Sequence, residues 1–419
     1  MTSRVYIIGH SAITCLGADA RSTFEGLVAG RSGIQAHENL PADRFLQNIA
    51  GRVAELPALP EGSDSSLSRL NARFLHLAVA AARAAMASAG LDSLPDSFRE
   101  RFAVVVGSAF GGLDLLETER EAAQKRKNLA TSPFLIPGMI INQAAGQIAQ
   151  QLQVFGPSLA PANACATGGY AVAAGAEMIR SGTVDLAICG ASESAFTPEI
   201  VNGFATMRAL LGRKAGDRSL TDPAQASRPF SVDRAGFVMS EGAAMLVLAS
   251  EPTVRALHLV PQAELIGWAS NSDGFHMAMP DTKRISRCLQ LAMTHAGIRP
   301  EEVDYYNAHG TSTTVNDRTE TEAIREAFGP AAESLAISSI KGALGHSLGA
   351  ASAIEAACCV RSLLEQTAPP TINHIPDPEL TLDYIPNEAR CMPLNVAMSA
   401  AFGFGGTNNV LLFRRVGNE

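Results

Sequence analysis

The sequence predicts an α/β protein built from two related halves, and three observations lead to this prediction. Short apolar runs bounded by glycine recur along the chain, as is typical of buried strands. Ala-rich stretches with helical spacing of their apolar residues lie between several of these runs. Three pairs of similar segments also occur in the same order in both halves. Alternating strands and helices favour a buried sheet covered by helices, and the repeated order predicts a duplication about one pseudo-two-fold axis.

The predicted elements follow from these patterns in chain order. The predicted strands are Val5–Ile8, Phe102–Val106, Asp185–Ile188, Ala243–Leu248, Asp304–Asn307, Leu335–Ser338, Val396–Ser399 and Val410–Phe413. The predicted helices are Phe74–Ala89, Gly168–Arg180, Arg284–Ala296 and Gly349–Leu364. Gly90 and Gly297 each follow a helical run and predict helix C-caps. The polar stretch Gly212–Ser227 predicts a surface loop.

The internal repeat is loose but ordered. AARAAMASAGL followed by RFAVVVGS resembles CLQLAMTHAGI followed by PEEVDYYNAHGTS, and DLAICGASESAF resembles NVAMSAAFGFGG. ANACATGGYAVAAGAE and SIKGALGHSLGAASAIE both run from a loop into a helix of small residues. A repeat of roughly 200 residues is too long for a solenoid unit, although buried strand–helix units resemble one another in general. We expect halves of residues 1–255 and 256–419 packed as one compact unit.

Composition and charge exclude several classes of protein. The 419 residues are 47% hydrophobic and 18% charged, which excludes a disordered chain, and the net charge of −8 disfavours nucleic-acid binding. No Asp, Glu, Lys, Arg or His occurs from Asn128 to Ala176. Prolines and glutamines interrupt this stretch, so it is no membrane span. The apolar start Met1–Gly9 predicts a strand and not a signal peptide, so we expect a cytoplasmic protein.

Cys165 is the candidate nucleophile among seven cysteines whose spacing predicts neither a disulfide framework nor a metal site. It lies in PANACATGGYA, where a strand turns into a helix of small residues. A thiol at a helix N-terminus has a lowered pKa, because the helix dipole stabilises the thiolate. The alternative is a buried structural cysteine.

Two histidines and a lysine lie in loops of the second half. His309 ends a strand in YYNAHGTSTTVND, and His346 enters a helix in SSIKGALGHSLGAA. Lys341 stands in an otherwise uncharged run and needs a partner, and Glu355 is the first acid available along that helix. Sites of α/β proteins lie at such strand ends, although a lone histidine is usually an ordinary packed or solvated residue.

A fourth segment, SAAFGFGGTNNVLLF, alternates Phe402 and Phe404 with glycine. It predicts either a packed β-turn or a mobile hydrophobic gate that aims a backbone N–H at an oxyanion. One Cys with one His and an Asn is also compatible with a protease. One Cys with two His and a Lys fits acyl transfer to the thiol, decarboxylation of a malonyl thioester, and attack of the carbanion on the acyl-Cys.

At these residues the sequence resembles the β-ketoacyl-acyl-carrier-protein synthases, most closely the elongating, type II-like group and the ketosynthase subunits of type II polyketide systems. The resemblance covers nearly the whole chain and rests on four motifs: the Cys165 turn, NAHGTST at His309, K-x-x-x-G-H-x-x-G-A-A at Lys341, and FGFGGTN at Phe402. It implies a thiolase-like fold, with two duplicated halves forming a five-layered αβαβα core, and a homodimer.

The resemblance also implies roles for individual residues. Cys165 would carry the acyl chain, His309 and His346 would stabilise the enolate, and Lys341 paired with Glu355 would orient the histidine loop. Backbone N–H groups of Cys165 and Phe402 would form the oxyanion hole, with Phe404 in the gate. The other implied positions are Asp317 and Glu320 as braces, Thr311 and Thr313 for pantetheine, Phe110, Leu135, Ile136 and Phe204 for the acyl pocket, and Arg69, Arg73, Lys125, Arg126, Lys127 and Arg208 for the carrier protein. No resident cofactor is implied, because the carrier protein brings the phosphopantetheine.

Several positions depart from the family pattern, and they leave the acyl substrate open. They are Asn163, Ala166, Thr314, Ala278, Ala400, Ala401 and the bulky Phe110. The leading function is fatty-acid elongation, and the alternative is a type II polyketide or polyene ketosynthase with a chain-length-factor partner. A non-catalytic partner subunit would lack Cys165. A thiolase would need a second cysteine near the C-terminus, for which Cys391 is poorly placed.

Overall fold

The computed structural model describes residues 4–41, 43–56, 65–91, 94–126, 130–211 and 222–417. The strands are β1 (Val5–Ile13), β2 (Gln35–Ala36), β3 (Ile49–Ala50), β4 (Phe102–Gly107), β5 (Ser158–Leu159), β6 (Leu186–Glu193), β7 (Gly242–Ser250), β8 (Ala263–Ser272), β9 (Tyr305–Asn307), β10 (Ala336–Ser338), β11 (Thr367–Ala368), β12 (Arg390–Cys391), β13 (Val396–Gly403) and β14 (Thr407–Arg414). The helices are α1 (Ala20–Val28), α2 (Ser65–Leu70), α3 (Arg73–Ser88), α4 (Asp96–Arg99), α5 (Leu113–Arg126), α6 (Leu135–Met139), α7 (Gln143–Leu152), α8 (Thr167–Arg180), α9 (Pro198–Thr206), α10 (Glu251–Ala256), α11 (Thr282–Ala296), α12 (Thr314–Phe328), α13 (Lys341–Leu344) and α14 (Ala351–Glu365).

The central sheet has the same strand order in both halves. In the first half the order is β5-β4-β6-β7-β1, and in the second it is β10-β9-β13-β14-β8. In each half the first two pairs are parallel, β5-β4-β6 and β10-β9-β13, and the next pair is antiparallel, β6 with β7 and β13 with β14. The two half-sheets join where β1 pairs with β8, at Tyr6–Glu264 and Ile7–Ala263. The duplication therefore appears directly in the topology.

Helices cover both faces of each half and complete five layers. Helices α8 and α14 contact each other and lie between the two half-sheets. Their apolar side chains form one buried cluster with apolar side chains of both half-sheets. Helices α3 and α7 cover the outer face of the first half, and α11 and α12 cover that of the second. Strands such as β4 and β7 are buried along their whole length, because helices cover both of their faces.

Glycines bring the two central helices together. A Cβ on Gly168 would lie 2.5 Å from the backbone N of Ala353 in α14, and one on Gly169 would lie 2.0 Å from Asn409 Oδ1 in β14. Only glycine fits at such separations, so these two residues let α8 pack against α14 and β14. The same packing fixes where α8 begins, which is directly after Cys165.

The structure extends the predicted elements and adds one long strand, β8, and several helices that were not predicted, among them α5, α7 and α12. All eight predicted strands and four predicted helices are present, and Gly90 and Gly297 adopt the left-handed conformation with φ of 66°. Strand β8 was not predicted, because only part of it is buried and its end carries polar residues. Of the predicted loop Gly212–Ser227, residues 212–221 lie outside the described residues. No helix in the described ranges combines the length and apolar character that a membrane crossing requires.

Candidate active site

The predicted catalytic groups come from both halves and meet in one cavity. Cys165 lies in a 3₁₀ turn, Ala164–Ala166, directly before α8, whereas His309 follows β9 and His346 follows α13. The Cys165 Sγ and the ring nitrogens of the two histidines all lie within 4.8 Å of one another. All three line a cavity of about 1110 Å³. A thiol and two imidazoles can therefore contact the same small group.

The backbone fixes the tautomer of His346. The backbone N–H of Leu348 donates to His346 Nδ1 at 3.2 Å, so Nδ1 accepts and the ring proton is on Nε2. Nε2 lies 3.1 Å from Cys165 Sγ. His346 therefore presents an N–H donor to the sulfur and to any group that occupies this point of the cavity.

Lys341 fixes His309 in the same way. The Lys341 Nζ lies 3.5 Å from His309 Nδ1 and donates to the His309 carbonyl oxygen at 2.6 Å. Because an ammonium group can only donate, Nδ1 of His309 is an acceptor and the ring proton is on Nε2. The two rings lie edge to face with centroids 5.5 Å apart.

A buried ion pair holds Lys341 in place. Lys341 and Glu355 are almost completely buried, and Nζ donates to Glu355 Oε1. The three protons of Nζ are thus directed to Glu355 and to two atoms of His309. Burial raises the pKa of Glu355, whereas the adjacent ammonium lowers it. Glu355 is the acid that the sequence analysis assigned to Lys341.

Burial and charge keep both histidines neutral. The pKa values of His309 and His346 lie well below the usual 6.5, first because both rings are buried and then because the Lys341 ammonium is nearby. Neutral imidazoles with their protons on Nε2 donate hydrogen bonds from that nitrogen and accept them on Nδ1.

The expected lowering of the Cys165 pKa is wrong. Desolvation by the surrounding atoms raises the pKa of Cys165 to about 12, and it outweighs the opposing effects of the Lys341 ammonium and of a hydrogen bond from the Phe404 backbone. The position before α8 is as predicted, but packing around the sulfur dominates over the favourable helix end.

The prediction that the Phe402 amide belongs to the oxyanion hole requires a correction. The backbone N–H of Phe404, and not that of Phe402, donates to Cys165 Sγ. A Cβ on the intervening Gly403 would lie 3.2 Å from the Cys165 backbone N, so the Phe404 and Cys165 amides lie close together. Phe402 is buried in β13, and its ring packs edge to face against His309 at 5.6 Å. Phe404 is 37% exposed and lines the cavity, as a gate requires.

Two buried acids hold the loop that carries His309. Glu320 accepts from the backbone N–H groups of His309 and Gly310, both at 2.8 Å. Asp317 accepts from the backbone N–H of Thr311 at 3.0 Å. Thr311 and Thr313 line the cavity, and their hydroxyls share a hydrogen bond of 2.9 Å.

Aromatic rings form one wall of the cavity. Phe110 and Phe204 contact each other edge to face at 6.2 Å, and Phe204 also contacts Phe237 at 5.3 Å. Leu135 and Ile136, which the sequence analysis assigned to the same pocket, are not among its lining residues. They lie in α6, where the Ile136 side chain is 58% exposed.

The predicted basic positions do not all share one role. Arg208 is exposed and lines the cavity, and Arg69 and Lys125 are exposed on α2 and α5. Arg73 is a correction: its guanidinium donates to both carboxylate oxygens of the buried Glu241 at 2.9 and 2.8 Å, so it is a structural residue. The Arg126 side chain and all of Lys127 lie outside the described residues.

Three residues of the site were missed in the sequence analysis. Phe237 packs against the His346 ring at 5.2 Å, Leu348 fixes the tautomer of that ring, and Glu193 binds the loop that carries Phe110. Of these three residues, only Glu193 could have been recognised in the sequence, because it is an acid at the end of a strand whose other residues are apolar or small. The other two are apolar residues whose roles depend on contacts distant in sequence.

Comparison with known proteins identifies the family. Residues 2–253 match the beta-ketoacyl synthase N-terminal domain, and residues 262–374 match the C-terminal domain. The chain is 38% identical to the 3-oxoacyl-[acyl-carrier-protein] synthase 2 of Coxiella burnetii over 417 residues, 99% of both chains. It is 37% identical to the protein of the same name from Synechocystis over 415 residues, 98% of both chains.

Solved structures show the same fold over the full chain. A beta-ketoacyl synthase from Burkholderia phymatum aligns with a TM-score of 0.91 at 30% identity, covering 99% of this chain and 100% of the other. A type II PKS ketosynthase in complex with its acyl-carrier protein and bound to the hexaketide aligns with a TM-score of 0.89 at 29% identity, with the same coverage. A ketosynthase in complex with its chain length factor from Xenorhabdus doucetiae gives 0.81 at 27%, covering 99% and 98%. The chain, with its thiolase-like fold, belongs to the β-ketoacyl synthase family.

Proposed function

We propose that this β-ketoacyl-acyl-carrier-protein synthase extends an acyl chain on Cys165 by decarboxylative condensation with malonyl-carrier protein. One observation carries the proposal: a thiol and two neutral imidazole N–H donors converge in one cavity, and a buried lysine fixes one of the imidazoles. The chemistry needs no resident cofactor, because the phosphopantetheine belongs to the carrier substrate. We place it in the cytoplasm, where the nucleophile stays a reduced thiol.

The first step transfers the acyl chain. The Cys165 sulfur attacks the thioester carbonyl of the acyl-carrier protein, and the negative charge on the carbonyl oxygen is stabilised by the amides of Phe404 and Cys165. The C–S bond to the carrier then breaks, and the carrier thiol leaves with the proton that Cys165 lost. The product is acyl-Cys165.

The second step forms the new carbon–carbon bond. The thioester oxygen of malonyl-carrier protein accepts hydrogen bonds from Nε2–H of His309 and His346, so the bond to the carboxylate breaks, CO₂ leaves, and an enolate remains. The enolate carbon attacks the acyl carbonyl on Cys165. The bond to sulfur breaks, and Cys165 leaves as a thiolate that regains a proton.

We expect the two half-reactions to depend differently on pH. The Cys165 pKa of about 12 leaves little thiolate at neutral pH, so acyl transfer should rise by about tenfold per pH unit. Decarboxylation should stay flat from about pH 6.5 to 9, because the pKa values of both histidines lie well below 6.5. Stopped-flow measurement of each step separately tests this. A decarboxylation rate that falls with an apparent pKa near 6.5 would contradict the assignment.

The proposal is tested with purified carrier proteins. The enzyme is given malonyl-carrier protein with a series of acyl-carrier proteins, and both CO₂ release and β-ketoacyl product are measured. We expect one CO₂ for each β-ketoacyl product. If no primer is extended by the enzyme alone, or by the enzyme with a co-expressed chain-length-factor-like subunit, the proposed function is wrong.

The kind of acyl chain that the enzyme accepts distinguishes fatty-acid elongation from a polyketide or polyene pathway. We propose elongation of fatty acyl chains as the first assignment, which the full-length relatives support. The aromatic wall of Phe110, Phe204 and Phe237 favours the alternative, a polyketide or polyene chain, because aromatic rings pack well against planar conjugated groups. Mass spectrometry of acyl-Cys165 after competition between saturated and polyunsaturated chains of equal length distinguishes them. Preference for the saturated chain would exclude the polyene assignment.

An acidic carrier protein should dock on the exposed basic residues around α6. Arg69 lies over the Phe134 ring at the start of α6, and α5, which carries Lys125, packs against α6. We expect Arg69→Glu/Lys125→Glu to raise KM for acyl-carrier protein by about tenfold and to lose this effect near 1 M salt, where charges are screened. Arg21→Glu, at an exposed position of α1, is the matched control. If the unmodified protein, the double variant and Arg21→Glu all have the same KM, the proposed docking face is wrong.

We further propose that two copies associate through the edge strand β5. Both residues of β5 are exposed, and Phe155 and Ile136 nearby in the charge-free stretch are 59% and 58% exposed. An uncovered edge strand is a template for pairing with a second chain. The ketosynthase solved with its chain length factor makes a heterodimer the alternative.

The dimer is tested by light scattering after gel filtration. We expect the unmodified protein to run as a dimer of about 88 kDa, twice the 43.9 kDa of one chain, and Phe155→Glu to run as a monomer. Val260→Glu, at a position that is 79% exposed outside this stretch, is the control and should remain dimeric. A monomeric unmodified protein that condenses alone would exclude the dimer.

A further inference from the structure

A buried carboxylate connects the two walls of the active-site cavity. Glu193 ends β6 and is completely buried. On one side it accepts from the Ser108 hydroxyl at 2.9 Å and from the Ala109 amide at 2.7 Å, in the loop that carries Phe110. On the other side it accepts from the Gly349 amide at 3.2 Å, three residues after His346.

The partners of Glu193 are neutral donors. Within the described residues no lysine, arginine or histidine forms an ion pair with it. A buried carboxylate without a countercharge is costly, so its retention at this point needs a reason. Burial raises the pKa of Glu193 to about 7, while the surrounding N–H and O–H donors lower it.

The two loops are built to meet at this carboxylate. A Cβ on Gly349 would lie 2.6 Å from the Ala109 backbone N and 2.7 Å from Glu193 Oε2. Only a glycine permits this approach, so the loop after His346 and the loop of Phe110 are in direct contact across Glu193.

On the cavity side, a series of aromatic contacts connects Phe110 to His346. Phe110 contacts Phe204 at 6.2 Å, Phe204 contacts Phe237 at 5.3 Å, and Phe237 contacts the His346 ring at 5.2 Å. Leu348, which fixes the His346 tautomer, is the neighbour of Gly349. Glu193 therefore binds the loop that carries Phe110 and the loop that follows His346, and these are the two ends of this series of packed side chains.

A comparable carboxylate brace occurs in the second half, although it comes from helix α12 and not from a strand end. The loop after β9 receives the carboxylate of Glu320 on the amides of His309 and Gly310, just as the loop after the equivalent strand β4 receives Glu193 on the amides of Ala109 and Phe110. In the second half this brace holds a catalytic residue. In the first half Glu193 holds the loop of Phe110, with the Ala109 amide at 2.7 Å and the Phe110 amide at 3.4 Å.

We propose that Glu193 is a positioning residue that fixes Phe110 and the His346 loop in one geometry, so that the length of acyl chain accepted on Cys165 is coupled to the placement of His346. The inference rests on the proposed condensation. It assigns acyl selectivity to a carboxylate that does not touch the substrate, acting through Phe110.

The test measures selectivity, which a purely structural role would leave unchanged. Glu193→Gln keeps the size of the side chain but turns an amide N–H₂ toward backbone donors, so the Phe110 loop should move away from Phe204. We expect the ratio of Cys165 acylation rates for dodecanoyl- over butanoyl-carrier protein to rise by about tenfold, and malonyl decarboxylation to slow by a similar factor. Glu264→Gln, which breaks a remote ion pair with Arg4, should leave both unchanged.

A double-mutant cycle shows whether the effect passes through Phe110. In a Phe110→Leu background, Glu193→Gln should change the dodecanoyl-to-butanoyl ratio less than about twofold. If Glu193→Gln does not fold, Ser108→Ala removes one donor to the carboxylate and should shift the ratio in the same direction by a smaller factor.

An unchanged ratio in a folded Glu193→Gln or Ser108→Ala protein, or a full effect in the Phe110→Leu background, would overturn the inference. Absence of any β-ketoacyl product from the unmodified enzyme would instead refute the proposed function.

Discussion

Cys165→Ala should reduce condensation by a factor of roughly 10⁴ or more, the order expected when a covalent nucleophile is removed. No other sulfur can replace it, because Cys165 is the cysteine that lines the cavity with both histidines. Malonyl decarboxylation should persist within about tenfold of the unmodified rate, since Nε2–H of both imidazoles remains in place. The measurement is CO₂ release and β-ketoacyl product from the same reaction.

The matched control for this variant is Cys391→Ala. Cys391 is exposed in β12 and does not line the cavity. Its replacement should leave acylation, decarboxylation and condensation unchanged. Condensation that survives Cys165→Ala, or an acyl group found on a different cysteine by peptide mass spectrometry, would show that the nucleophile has been misassigned.

Lys341→Met should lower both stability and activity. It leaves the Glu355 carboxylate buried without its countercharge, which typically costs about 3–5 kcal/mol in the free energy of unfolding. It also removes the donor that fixes the tautomer of His309, and a misplaced catalytic group costs roughly 100-fold in rate. Urea unfolding and the condensation assay measure the two effects separately.

The double variant Lys341→Met/Glu355→Leu separates these two roles. Replacing both charges by apolar groups should recover most of the lost unfolding free energy, because a buried ion pair often contributes little over a well-packed apolar pair. Condensation should stay impaired, because His309 Nδ1 still lacks its donor. Recovery of full activity with recovery of stability would mean that Lys341 is only structural.

The sequence predicted elements and motif positions well, because both depend on local pattern. Cys165, His309 and His346 were located by the loops in which they stand. Strand β8 escaped detection because its pairing with β14, which lies far away in the sequence, and not its own residue pattern, makes it a strand.

The errors concern contacts between residues far apart in the chain. Arg73 was assigned to the protein surface, but its partner Glu241 comes from a different strand end and holds it in place. The pKa of Cys165 moved opposite to the prediction because atoms from other segments desolvate the sulfur. In FGFGG, sequence alternation does not say which of two phenylalanine amides faces the thiol.

The repeated turn before each central helix has a consequence for the sequence. Ala164 and Leu348 precede α8 and α14 in matching 3₁₀ turns, and both have a φ of 49°. One copy of this turn presents the sulfur of Cys165, while the other presents the amide that sets the tautomer of His346. Two identical copies of this turn would place the same side chains on both sides of the cavity. The present pair of roles therefore requires the two turns to differ in sequence while they keep one backbone conformation.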